Sequence, residues 1–117
     1  MYCNKLKYIN RRKVWWKPGE VTHNPIKIDP MTWKILCQDN IQILPGAIVT
    51  IALSFGVEMS EGVTLVSLTQ ELIKKKCIIQ NGIIIENTTD IIIMIQNNST
   101  EVLNILPGQE LCLLRYV

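Results

Sequence analysis

The chain has one histidine, His23, and four cysteines that never pair up in sequence: Cys3, Cys37, Cys77 and Cys112 lie 34, 40 and 35 residues apart. With no CxxC and no second histidine, the ligand spacing of a zinc site is missing, and no metal is expected. No catalytic role is expected of His23. Long apolar runs are missing too: Ile83 to Ile85 and even the longest, Ile91 to Ile95, fall far short of the roughly 20 residues of a membrane span, so no membrane contact is expected. Cys37, Cys77 and Cys112 sit inside apolar runs, where a free thiol packs as a small hydrophobe. No secretory leader pattern precedes them. The expected setting is therefore reducing and intracellular, cytoplasmic or nuclear. The sequons at Asn87-Thr88-Thr89 and Asn97-Asn98-Ser99-Thr100 are read as chance matches.

Helical periodicity is almost absent. Its one candidate is Thr69-Gln70-Glu71-Leu72-Ile73-Lys74-Lys75-Lys76, with Thr69 placed to cap and the lysines placed against the carbonyl end of the helix dipole. A helix that short needs a sheet to hold it.

What is present is β-rich. The 117 residues, 48% hydrophobic, provide for one domain with one core. Charge is uneven: residues 1–30 hold seven basic and two acidic side chains, residues 31–117 five basic and eight acidic. This predicts a basic N-terminal segment over 1–30 and a slightly acidic β domain over 31–117. The clearest strand covers 47–58, where Val49, Ile51, Leu53, Phe55 and Val57 alternate with Thr50, Ala52, Ser54, Gly56 and Glu58. A turn over Met59 to Gly62 leads to a strand through Val63, Leu65 and Leu68. Ile78-Ile79 and Ile83 to Ile85 flank Asn81-Gly82, a dipeptide favoured where a tight turn needs positive φ. The β-branched run Ile91 to Ile95 suggests a strand buried on both faces.

One echo organises these pieces. Ile41-Gln42-Ile43-Leu44-Pro45-Gly46 and Leu103-Asn104-Ile105-Leu106-Pro107-Gly108 each read as strand, Pro-Gly corner and following strand, 62 residues apart. That spacing suits two equivalent corners of one sandwich, so the fold class is all-β, a jelly-roll-like β-sandwich of short strands with at most one short helix.

In order, Ile43-Leu44-Pro45-Gly46, Leu53 to Val57, Met59-Ser60-Glu61-Gly62, Asn81-Gly82-Ile83-Ile84, Ile91 to Asn97 and Leu106-Pro107-Gly108 resemble the strand-and-turn order of the deoxyuridine triphosphatase (dUTPase) family over about residues 32–117. The resemblance implies a dUTPase-like jelly roll with nucleotide sites between the subunits of a homotrimer. It also implies where the chemistry should be, and there the sequence departs. The family's Ala-Gly-Tyr-Asp-Leu motif falls on Met31-Thr32-Trp33-Lys34-Ile35 or its neighbours, with no such aspartate. Its phosphate-holding Pro-Arg-Ser-Gly falls on Leu68-Thr69-Gln70-Glu71, whose glutamate would repel a triphosphate. The water-activating aspartate falls at Ile85, which cannot take a proton, and the tyrosine beneath the uracil falls near Thr88. Glu86 is the one residual catalytic candidate, for a register shifted by one. The fourth motif's glutamine falls on Leu113, and no glycine-rich arm follows it before Val117. Magnesium in the family is held chiefly through the nucleotide's phosphates, so neither metal nor cofactor is expected.

The reading that follows is a non-catalytic dUTPase-like binding or assembly protein, not an enzyme, resembling viral accessory proteins that act through protein-protein contacts. Its alternatives are a trimeric structural or capsid-decorating protein and a nucleotide-binding protein without turnover. The apolar runs Ile83 to Ile85 and Ile91 to Ile95 exceed what a lone sandwich of this size readily hides, which also points to an oligomer. A second candidate site is the basic and aromatic stretch Arg11, Arg12, Lys13, Trp15, Trp16 and Lys17, a combination suited to phosphate contact and base stacking. The competing expectation for it is packing or a solvated face.

Overall fold

The computed structural model describes residues 5–9, 12–16, 21–59, 62–85, 88 and 90–117, with side chains for 21–57, 62–85, 88 and 90–117. Thirteen strands and one helix are found among them: β1 (Lys5–Ile9), β2 (Arg12–Trp16), β3 (Ile26–Asp29), β4 (Thr32–Leu36), β5 (Ile41–Ile43), β6 (Ile48–Ala52), β7 (Phe55–Met59), β8 (Thr64–Leu68), α1 (Gln70–Lys74), β9 (Cys77–Ile79), β10 (Ile83–Ile84), β11 (Ile92–Asn97), β12 (Leu103–Ile105) and β13 (Glu110–Tyr116). The sheets run β10-β8-β13-β4-β3, β6-β11-β9, β1-β2-β7 and β12-β5. Every strand pairing is antiparallel. The fold is the expected all-β sandwich with one short helix.

Alternation decides what each strand buries. Along β8, Thr64, Val66 and Leu68 face inward. They stand opposite Tyr116, Leu114 and Cys112 of β13, and the last two stand opposite Trp33 and Ile35 of β4. Leu65, assigned to the strand by its apolar character, lies on the outer face. From the other side, Ile91, Ile93 and Ile95 complete the same core with Leu53, Phe55 and Val57. Burying side chains of this size stabilises by about 1.5–3 kcal/mol each. Trp33 is thereby a core residue.

The two Pro-Gly corners are equivalent, as the echo suggests. Gly46 and Gly108 both take left-handed φ, 76° and 85°, and the strands leading into them, β5 and β12, pair directly. At Gly108 an added Cβ would lie 3.2 Å from the His23 ring, so the lone histidine packs against that corner. The segment before it is held by Gln38, whose Oε1 accepts the Thr22 and His23 N–H groups and whose Nε2 donates to the His23 carbonyl at 2.7 Å.

Three expectations are corrected. The 47–58 strand is two strands, because Ser54 at φ 61° turns the chain: β6 pairs with β11 and β7 with β2. Asn81-Gly82 does not close a hairpin, since β9 pairs with β11 and β10 with β8. Gly82 instead allows close approach, an added Cβ lying 3.0 Å from the Val66 carbonyl. Nor is Ile91 to Ile95 buried on both faces: Ile92 and Met94 are exposed. Thr69 does stand at the N-cap of α1, but its hydroxyl donates to the Glu110 carbonyl rather than capping the helix.

Candidate functional site

The segment after β10 crosses from one sheet to the next. Ile83 and Ile84 pair with Leu65 and Thr64 of β8. Thr88 then exchanges backbone hydrogen bonds with Val57 at 2.8 and 3.0 Å, and the Ile91 N–H donates to the Phe55 carbonyl at 2.8 Å. From there the chain enters β11. This crossing borders a cleft of about 310 Å³ lined by Asn81, Ile83, Ile84, Ile85, Thr88 and Asp90, together with Ile91 and Ile92.

The cleft holds the positions at which the resemblance places the uracil and the water-activating aspartate. Five of its eight lining residues are isoleucines, with Ile85 73% exposed and Ile83 62%, and Asn81, Thr88 and Asp90 supply its polar surface. Asn81 has little left to offer a ligand. Its Nδ2 donates to the Ile92 carbonyl at 2.7 Å and its Oδ1 accepts the Met94 N–H at 2.8 Å, so its amide continues the β9 ladder along β11. Asp90 is the one carboxylate among the described lining residues. Glu86, the residual catalytic candidate, lies outside the described residues.

The place of the phosphate-holding motif is occupied by an engaged carboxylate. Glu71, in the first turn of α1, accepts from Lys75 Nζ at 3.4 Å and from Gln109 Nε2 at 3.2 Å. A phosphate arriving there would meet a negative charge. At the first-motif position, Thr32, Trp33 and Ile35 are buried, and Lys34 pairs with Glu110. Just before it, the carboxyl of Asp29 is held below its ordinary range, chiefly by the hydrogen bond from the Met31 N–H and further by Thr32. Leu113, at the fourth-motif position, is partly exposed on β13 between Ser67 and Lys34. No group of three His, Cys, Asp or Glu side chains that could hold a metal ion exists among the described residues. The described donor set therefore does not fit a metal held by its own protein ligands alone.

Of the N-terminal candidates, Arg12, Lys13, Trp15 and Trp16 lie in β2, whose backbone pairs with β1 on one edge and with β7 on the other. Arg11 and Lys17 lie outside the described residues. The ladder joins this segment to residues 55–59 of the β domain.

Asp90 and Asn81 were not singled out from sequence as lining residues. Thr88-Thr89-Asp90 reads locally as a turn, and only the ladder from Val57 to Thr88 brings the aspartate to the cleft.

No protein-family model and no curated protein sequence matches the chain. Solved structures do, and they define the class: this is a dUTPase-like β-sandwich. The dUTPase of Staphylococcus bacteriophage 80alpha superposes with a TM-score of 0.77 at 16% identity, over 92% of this chain and 90% of that one. The dUTPase of phage phi11 of S. aureus gives 0.76 at 17% identity, over 92% and 90%, and the EIAV dUTPase 0.71 at 18%, over 81% and 80%. Among the described residues no helix is long and apolar enough to cross a membrane.

Proposed function

We propose that this chain is a non-catalytic dUTPase-like assembly protein, a homotrimer that works through protein-protein contacts in the manner of a viral accessory protein. The observation that carries the reading is Ile85. At the position where the resemblance requires a proton acceptor stands an exposed aliphatic side chain, in a cleft walled by further isoleucines. The carboxylate of Glu71 at the phosphate position supports it. So does the description of the 80alpha protein as one of the phage dUTPases that control transfer of virulence genes by a G protein-like mechanism, which gives a precedent for a dUTPase acting as a control protein.

Trimer formation has its own support in the outer face of β6-β11-β9. Register places Ile48, Gln96 and Ile78 in one row, Thr50 and Met94 in the next, and Ala52 with Ile92 in the third. Ile48, Ile78, Ile92 and Met94 are all exposed there. Four exposed apolar side chains on one sheet face, with Gln96 and Thr50 among them, offer a surface that a second copy can cover.

Incubation with deoxyuridine triphosphate and magnesium is expected to give no hydrolysis. Turnover abolished by Glu86→Gln or Asp90→Asn would overturn the non-catalytic reading. Light scattering at roughly tens of micromolar, where obligate interfaces stay closed, is expected to report three copies. Ile92→Asp is expected to yield a folded monomer, and a wild-type monomer at that concentration would remove the assembly claim.

A further inference from the structure

Of the five basic residues in 31–117, three are consecutive: Lys74, Lys75 and Lys76, at the end of α1. They form one wall of an open cleft of about 530 Å³ whose other wall is the 99–104 segment. Backbone bonds hold the two walls together. Lys76 takes left-handed φ, 65°, and its carbonyl accepts the Asn98 N–H at 3.0 Å. The loop that follows is pinned by Asn97, whose side chain bonds the Glu101 carbonyl and the Ser99 N–H at 2.8 and 3.1 Å.

Of the three lysines on this wall, Lys75 alone is ion-paired among the described residues. Lys34 is paired with Glu110 and Lys75 with Glu71, while Arg115 lies close enough to Asp29 to help lower its carboxyl. Among the described residues, neither Lys74 nor Lys76 has a carboxylate within ion-pair distance. One cation suffices to offset the carbonyl end of a helix of five residues. Lys74 and Lys76 thus line the cleft exposed and without an ion-pair partner among the described residues. Across from them Thr100 and Asn104 are exposed, with a hydroxyl and an amide that bond no other described residue. Val102 adds an exposed apolar surface and Glu101 a carboxylate.

We propose that this cleft binds a phosphate ester of nucleotide size. Ammonium groups suit phosphate oxygens as point charges, and hydroxyl and amide donors suit the same oxygens. The volume falls within the range of small-ligand sites and exceeds what a bare phosphate needs. Val102 offers a face to a ring, and Glu101 accepts from the hydroxyl or amino groups such a ring carries. Glu101 also opposes a long polyanion, so the site favours a mononucleotide over a nucleic acid strand. The cleft lies at the carbonyl end of α1, whereas the resemblance places the nucleotide's phosphates at its first turn. The proposal thus stands independently of the non-catalytic reading.

The test is an amide-resolved NMR titration of the full chain with AMP, inorganic phosphate and a short single-stranded oligonucleotide as probes. AMP is expected to move the amides of residues 74–76 and 99–104 saturably, more tightly than phosphate does. Lys74→Gln with Lys76→Gln is expected to weaken AMP binding about a hundredfold, two charge-assisted contacts at about tenfold each, with amides elsewhere unchanged. Thr100→Ala with Asn104→Ala, on the opposite wall, is expected to weaken it about tenfold. Absence of saturable shifts at those residues up to about 10 mM AMP would overturn the proposal, since that affinity is negligible. Equal affinity in the lysine variant, a response to the oligonucleotide alone, or shifts confined to residues 81–92 would overturn it as well.

Discussion

Asn97 ends β11 with every hydrogen-bonding position of its carboxamide in use, and its removal is the sharpest test of how the fold is held. Nδ2 donates to the Ile43 carbonyl at 2.9 Å and the Glu101 carbonyl at 2.8 Å, and Oδ1 accepts the Ser99 N–H at 3.1 Å and the Ser99 hydroxyl at 2.7 Å. Its own carbonyl accepts the Gly46 N–H at 2.7 Å, closing the first Pro-Gly corner. Asn97→Ala removes four side-chain bonds, each with a net value of about 1 kcal/mol. Ser99 and Glu101 can turn to water. The Ile43 carbonyl is buried and would be left at a cost of about 1–3 kcal/mol. The expected loss is about 3–5 kcal/mol, against a total stability for a domain of about 5–15 kcal/mol. Asn97→Asp keeps the shape and sets a carboxylate oxygen against two carbonyl oxygens, so at neutral pH it should cost more than alanine. Burial and those carbonyls raise the folded pKa of the new aspartate above its unfolded value. The ionisation part of its penalty is therefore absent below about pH 4, grows as pH rises to the folded pKa and stays constant beyond it, while the single O–H of the neutral acid still leaves one carbonyl without its donor. Urea denaturation at fixed protein concentration, at neutral and acid pH, measures both variants. An alanine variant within about 1 kcal/mol of wild type, or an aspartate variant as stable as wild type at neutral pH, would refute the reasoning.

Two further outcomes follow from buried contacts. Gly82→Ala places its Cβ 3.0 Å from the Val66 carbonyl, so the β8–β10 join must shift, at about 1–3 kcal/mol, and an unchanged melting temperature would refute the close-approach account. Burial pushes the Cys112 thiol from its ordinary 9.0 up to about 12. The folded state then keeps a proton that the unfolded chain releases, so Cys112 stabilises fully below about pH 9 and loses that contribution toward pH 12 at about 1.4 kcal/mol per unit. Cys112→Ala should lessen the alkaline slope of stability by that amount, and equal slopes would sink the assignment.

The sequence was legible where local chemistry leaves few alternatives. Pro followed by Gly after an apolar pair admits a corner and little else, and both corners form with positive φ at Gly46 and Gly108. Alternation through 47–58 correctly marked Leu53, Phe55 and Val57 as buried. It could not show the break at Ser54, because the turn preserves the parity of inward and outward residues while changing the partner strand from β11 to β2. Periodicity reports which face is buried and carries no information on what pairs with it. Asn81-Gly82 failed for a related reason: local turn propensity yielded to long-range pairing, and the asparagine amide was spent on β11. In Ile91 to Ile95 an unbroken apolar run looks the same whether both faces are covered within the chain or one awaits a partner. The cleft was half legible: its isoleucines were marked, and Asp90 was hidden behind non-local contacts.

The same contrast bears on how a dUTPase-like fold can carry other residues at the positions where the resemblance places the family's chemistry. Positions that hold the sandwich satisfy buried backbone groups or fill the core, and changing any of them costs kilocalories: Asn97, Gly82, Gly108 with His23 against it. Two of the positions where the resemblance places nucleotide chemistry lie on open surface. At Ile85, 73% exposed, replacing a carboxylate by an aliphatic side chain disturbs no packing, and at Glu71 an acid is tied only to exposed neighbours. Side chains at these two positions can therefore vary without loss of structure. Tolerance alone does not explain isoleucine, since a polar side chain would serve an open surface better. Ile83, Ile85 and Ile92 line one cleft, and Ile48, Ile78, Ile92 and Met94 share the adjoining sheet face. Scattered exposed hydrophobes need no cause, but a cluster of them on one side of the fold calls for one. A nucleotide's phosphates would meet no cation among the described lining residues of that cleft, whereas another protein surface could cover the isoleucines.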